Sequence, residues 1–134
     1  MLALWRIYFI KTTINNKRVC GTFYEEMAAA YLREKGHTIL SMNYKNSFGE
    51  IDIISRSGSF LVFTECKFRK NNNYGSPFEA VDKRKQKKIC MVALSYLKNN
   101  GYNESTPCRF DVIGIYADKT INHAENAFEF TSYF

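Results

Sequence analysis

The sequence predicts an α/β fold, a β-sheet flanked by helices. Three observations lead there. Apolar residues recur at helical spacing near residues 21–35 and again from 77 to 99. The stretch GEIDIISRSGSFLVFTECKFR reads as two strands joined by a tight turn, and RFDVIGIY supplies another strand after the second helix. Helix, strands, helix, strand, with no repeat and no linker, is the order of a sheet covered by helices. Residues 1–134 are read as one domain with an N-terminal extension over 1–20.

The composition fits that picture. A hydrophobic fraction of 46% and an aromatic fraction of 16% can build a packed core without metal or disulfide staples. Lys and Arg number 19 against 13 Asp and Glu, a net charge of +6, which suits a polyanionic partner without identifying one. Four cysteines, Cys20, Cys66, Cys90 and Cys108, are scattered with no Cys-x-x-Cys and no nearby His pair, which argues against zinc. Cys66 and Cys90 fall inside apolar elements and read as buried free thiols of a cytoplasmic protein. In the N-terminal segment Arg6 breaks an apolar run too short to span a membrane, and Trp5, Tyr8 and Phe9 need cover from the domain or a second subunit.

The first helix is placed at Gly21 to Lys35, with Phe23, Met27, Ala28, Tyr31 and Leu32 on its buried face. Thr22 is its N-cap, Glu25 completes a capping box, and Gly36 ends it. A short strand follows from Thr38 to Asn43, with Lys45 as its outer limit. After the hairpin, the Asn-rich segment Lys70 to Pro77 is a loop. Ser76 is the expected cap of the second helix, with Pro77 at its first position and Glu79 in its first turn. That helix runs to Asn99 and buries Phe78, Val81, Ile89, Val92, Ala93, Tyr96 and Leu97. Its first half carries Lys83, Arg84, Lys85, Lys87 and Lys88 with no interleaved acid, denser than a solvated face requires. In Arg109 to Tyr116, Phe110, Val112 and Gly114 share one side and Asp111, Ile113 and Ile115 the other. The tail from His123 to Phe134 adds a short strand or helix.

The chemistry lies on the hairpin. With Ser57-Gly58 as a two-residue loop, or Arg56 to Ser59 as a four-residue one, paired residue numbers sum to 115. Glu50 then faces Glu65, Asp52 faces Phe63, and Glu50, Asp52, Glu65 and Lys67 share one side. Two carboxylates about 4 Å apart repel by ~4 kcal/mol at an effective dielectric of 20. Lys67 offsets part of this, and a hard divalent cation would remove the rest. Asp52 and Glu65, on a diagonal of roughly 7–8 Å, are within reach of one metal ion. Lys67 is placed to hold or deprotonate a water that attacks a phosphodiester. The plainer account is a polar outer face of an edge hairpin with one salt bridge. The mechanism requires that all four residues share one face.

The lines YEEMAAAYLREKGH, GEIDII, LVFTECKFR, YGSPFEAVDKRKQKKI, RFDVIGI and INHAENAF resemble the YraN-like family of small bacterial proteins, over residues 21–128. That family is similar to restriction-endonuclease-like nucleases, especially archaeal Holliday-junction resolvases. The resemblance implies a restriction-endonuclease-like fold, a central mixed β-sheet flanked by helices. It makes Asp52 and Glu65 ligands of Mg²⁺ or Mn²⁺ and Lys67 the catalytic lysine. Glu25 matches an acid that approaches the metal, and Gln86 a polar position facing the active site. Glu50 belongs to the family's Gly-Glu-Ile-Asp motif and is counted with the metal ligands. The basic helix residues and Arg69 are the expected nucleic-acid contacts, and a homodimer is implied because a junction offers two symmetric cuts. Cys66 stands where Val is usual, and Tyr24 where a Gly usually precedes the helix Glu.

Two alternatives stand beside the metal-dependent endonuclease. One is a nucleic-acid-binding protein whose nuclease-like site is inactive. The other is an assembly protein dimerised through its aromatic ends.

Overall fold

The computed structural model describes residues 17–70 and 81–130, the side chains of 17–20 excepted. Expectations for Trp5, Tyr8, Phe9, Cys20, Ser76, Pro77, Phe78 and Glu79 lie outside that description. Helix α1 spans Lys17–Glu34. Strands β1 (Thr38–Asn46), β2 (Gly49–Ser57) and β3 (Phe60–Arg69) follow. Helix α2 (Lys83–Asn99) leads to β4 (Cys108–Tyr116) and β5 (Ile121–Phe128). The five strands form one mixed sheet in the order β1-β2-β3-β4-β5. Only β3 and β4 run parallel, joined by the connection that carries α2; the other neighbours are antiparallel. This is the α/β sheet flanked by helices that the sequence leads one to expect.

The helices cover opposite faces. Ala28, Ala29 and Leu32 of α1 bury Ile53, Ile113 and Ile115, and the two alanines let the helix backbone come close to the sheet. On the other face Ile89, Cys90, Val92, Ala93, Tyr96 and Leu97 of α2 bury Ile51, Ile54, Leu61, Phe63, Phe110, Val112 and Phe128. The rings of Phe63, Phe110 and Phe128 stack in sequence across three strands, with centroids 5.6 and 5.0 Å apart. The alternation expected in β4 holds: Phe110 and Val112 enter one core, Ile113 and Ile115 the other.

Both helix starts differ from expectation. Because α1 already runs from Lys17, Thr22 lies inside it and is not its N-cap, and Glu25 is two turns in, away from the capping-box position. A capping-box pattern also occurs within longer helices, so the pattern alone did not locate the end. α2 starts later than Pro77. Asp82, in extended conformation, is its N-cap, and its carboxylate accepts the Lys85 N–H at 2.8 Å. The end of α1 is as expected, with Gly36 at φ 91.

The hairpin register is also corrected. Ser57 pairs with Phe60 and Ile54 with Phe63, so paired numbers sum to 117 and the turn is Gly58-Ser59. Gly58 has φ 58, which places the glycine at the first central position of the turn, where a side chain would be strained. The shift is two residues. Phe63 therefore moves from Asp52 to Ile54, and the continuation of the ladder would carry Glu65 from Glu50 to Asp52.

A second departure occurs inside the β1–β2 pair. Met42 and Ile53 are partners and both pack toward α1, whereas Tyr44 and Ile51, partners two residues on, both pack toward α2. Residues two apart on a regular strand share a face, so both strands roll over between these pairs. The pivot is Asn43, at φ 53, a left-handed conformation that asparagine tolerates better than most residues.

Candidate active site

Asp52 sits where that roll occurs, and β2 and β3 part there. Their ladder runs from Ser57↔Phe60 to Ile53↔Thr64 and goes no further, while β3 stays paired with β4 through Arg69. In the fork the Asp52 carboxylate replaces a strand partner, its Oδ2 accepting the Cys66 N–H at 2.8 Å. It also lies close enough to Glu65, which is almost wholly buried, for that charge to raise its pKa.

Two ammonium groups meet the same oxygen of Glu65. Lys67 Nζ, two residues along β3, is 3.5 Å from Oε1, and Lys85 Nζ, from the first turn of α2, is 3.6 Å from it. Burial, with the charges of Glu65 and Glu25, pushes the Asp52 pKa up to about 8, against the lowering effect of the Cys66 N–H. Two carboxyl groups set this close are the arrangement a divalent cation can take over.

Glu25 approaches from the α1 side. Burial raises its pKa, a hydrogen bond with the Asn43 side chain opposes that, and the charges of Glu50 and Glu65 add to it. The residue that rolls the strands thus also holds Glu25. Glu50 is at the margin: its carboxylate is 3.6 Å from Lys45 Nζ, its partner on β1. Since Ile51 faces α2, alternation turns Glu50 toward α1.

The four hairpin residues therefore do not share one face by simple alternation, as the sequence reading required. Glu65 and Lys67 face α2, Glu50 turns toward α1, and Asp52 lies in the fork between them. The Asp52, Glu65 and Lys67 set is gathered all the same, by the parting of the strands.

Gln86 donates its side-chain amide to the Val81 carbonyl at 3.0 Å, and it is the neighbouring Lys85 that reaches the carboxylates. Lys83, Arg84, Lys87 and Lys88 are exposed along α2. The half-buried Arg69, at the end of β3, has Nη1 3.5 Å from the Phe68 carbonyl oxygen. No acid stands in the first turn of α2, so Lys83, Arg84 and Lys85 oppose the helix dipole. Cys66 is half-buried, and burial first, then the carboxylates of Asp52, Glu65 and Glu25, raise its thiol well above the ordinary range. A thiol so raised is a poor nucleophile.

The donor set fits a hard cation at Asp52 and Glu65. Among the described residues no three His, Cys, Asp or Glu side chains are gathered closely enough to hold a metal by themselves. Mg²⁺ typically takes one or two carboxylates and completes its shell with water and phosphate oxygens, and the Asp52–Glu65 pair meets that need.

Sequence reasoning missed Asn43 and the role of Lys85. The signal for Asn43 was an asparagine in the middle of an apolar strand. Lys85 carried none, being one cation among five.

The family model for the uncharacterised protein family UPF0102 matches residues 24–115, well over half of the chain. The chain belongs to this family. A UPF0102 protein of Lachnoclostridium phytofermentans is 46% identical over 114 residues, covering 85% of this chain and 96% of its own length. One from Clostridioides difficile is 47% identical over 116 residues, 86% of this chain and all of its own. A third, from Caldanaerobacter subterraneus, is 40% identical over 119 residues, 84% of this chain and 97% of its own. The YraN-like resemblance pointed to this family. The segment matched by the UPF0102 model spans Glu25, Asn43, Asp52, Glu65, Lys67 and Lys85. No helix among the described residues is long and apolar enough to cross a membrane.

Proposed function

We propose that this UPF0102 protein is a metal-dependent endonuclease that hydrolyses DNA phosphodiester bonds. The observation that carries the reading is the Asp52 carboxylate in the fork, on the Cys66 N–H and within the field of Glu65, with Lys67 and Lys85 on the same Glu65 oxygen. A structural ion pair needs one cation and one carboxylate. Two carboxyl groups set close together, one half-buried and one buried, destabilise a fold unless something else binds them.

Asp52 and Glu65 would hold Mg²⁺ or Mn²⁺, which supplies Lewis acidity at the phosphate and a more acidic water. Asp52 is oriented by the Cys66 N–H, so its second oxygen faces the fork. Lys67 Nζ, 3.5 Å from Glu65 Oε1, is the group that holds and orients the attacking water. Lys85 leaves Glu65 for a phosphate oxygen when the substrate enters. Glu25, held by Asn43, fixes a water on the α1 side. The exposed cations of α2 and Arg69 hold the flanking phosphates.

The test is a cleavage panel of linear duplex, single-stranded, flap and four-way DNA with Mg²⁺ or Mn²⁺. Cleavage that disappears in Asp52→Ala, Glu65→Ala and Lys67→Ala is the expected result. Intact DNA throughout, with binding retained, would establish a nucleic-acid-binding protein with an inactive site instead. The homodimer is a separate proposal, tested by sedimentation with and without residues 1–18.

A further inference from the structure

Beside the carboxylates lies an aromatic stack that the hydrolytic chemistry does not use. The rings of Tyr24 and Phe68 are stacked with centroids 4.1 Å apart and planes 18° from parallel, and Phe23 meets Tyr24 edge-on at 5.3 Å. Phe68 joins neither apolar core and stays 38% exposed at the surface. Tyr24 immediately precedes Glu25 on α1, and Phe68 immediately follows Lys67 on β3. Strand alternation turns Phe68 to the α1 side of the sheet, away from Lys67, and Arg69 comes next. The stack thus borders the fork on the side of Glu25.

We propose that Phe68, backed by Tyr24, is a stacking platform for an unpaired nucleobase, so that the substrate is DNA with a single-stranded segment at the scissile phosphate. This deepens the nuclease reading and rests on it for the position of the cut. Within a duplex each base face is covered by its neighbours, so only an unpaired base can lie on Phe68. An exposed ring whose other face is held flat by a second ring is already oriented for that contact.

The test is equilibrium binding, measured by fluorescence anisotropy in a chelating buffer, of a labelled oligothymidylate and of a labelled duplex. Phe68→Ala is expected to weaken oligothymidylate binding about ten-fold and to change duplex binding far less. Phe68→Trp, which keeps a broad flat ring, is expected to restore it and so excludes a folding defect. Equal losses on both probes, no loss on the single strand, or no single-strand binding by the wild type would each overturn the platform. Because no metal is present, the outcome is separate from catalysis. A Phe68-dependent preference for the single strand without cleavage by the wild type would leave the platform standing and remove the nuclease reading.

Discussion

At the point where β2 and β3 part, the Asp52 carboxyl group stands close enough to that of Glu65 for the neighbouring charge to raise its pKa. In the absence of a bound cation this closeness opposes folding, since burial and like charge both disfavour ionised Asp52. Asp52→Asn keeps an acceptor for the Cys66 N–H and can donate to Glu65. It is expected to raise thermal stability in chelating buffer, by an amount on the order of 1 kcal/mol. The same variant should lose DNA cleavage. Mg²⁺ or Mn²⁺ should raise the melting temperature of the wild type and not that of the variant. A loss of stability in Asp52→Asn would contradict the account of the fork.

Asn43 links backbone shape to the site. Its φ of 53 rolls two strands over, and its side chain holds Glu25. Asn43→Gly keeps the conformation and loses the hydrogen bond, so its stability should stay close to the wild type. Asn43→Val adds a branched side chain at a left-handed position and is expected to cost about 1–3 kcal/mol, read from urea unfolding. Both variants should impair cleavage. If the two were equally stable, the strain assigned to this position would be wrong.

How far these features were legible follows from the range of the forces that make them. Alternation in β4 and the helical face of α2 arise from local burial, and each could be read directly. The register of the hairpin turned on whether Gly58 takes the first or second central position of its turn. One residue in the choice of turn moved every pairing by two. The convergence of Asp52 and Glu65 depends on the roll at Asn43, which involves β1, β2 and α1 together. No window of sequence contains it. Tyr24, 44 residues from Phe68 in the chain, was noted as an oddity at the helix start and explained only by the ring it meets.

Asp111 shows a different use of buried charge. Its carboxylate accepts from Arg109 Nε and Nη2 at 2.9 and 3.0 Å, meets His123 Nε2 at 2.7 Å, and takes the Asn126 N–H at 3.0 Å. His123 Nδ1 in turn lies 3.3 Å from the Tyr31 hydroxyl. The network ties β4, β5 and α1 together with the carboxylate fully satisfied, a structural arrangement rather than a poised one. Asp111→Ala leaves Arg109 and His123 without their acceptor and should cost about 3–5 kcal/mol. Its effect on cleavage should follow from lost folded protein alone.

The pH response of stability contains a part from His37. Burial, then the charge of Arg109, lowers its pKa below the usual 6.5, and Nδ1 is 2.9 Å from Ser55 Oγ. The unfolded chain therefore takes up a proton at this group before the folded one does. The stability contributed by neutral His37 is present above the unfolded pKa and is lost as pH falls below it toward the folded value. Melting temperatures measured downward from neutral pH should fall less steeply in His37→Gln than in the wild type. An unchanged slope would remove His37 from the acid response.

The basic start of α2 separates binding from folding most sharply, because the two predict opposite signs. Lys83 and Arg84 lie in the first turn, where the helix dipole favours acids, and both are exposed. Replacing the pair by Glu should stabilise the helix by about 0.3–1 kcal/mol for each position. If the turn exists to meet phosphates, the same double variant should bind DNA much more weakly, with a shallower dependence of affinity on salt. Thermal unfolding and a salt titration of binding on one preparation read both effects. A variant that is more stable and binds as well as the wild type would leave the cations of this turn without a part in DNA recognition.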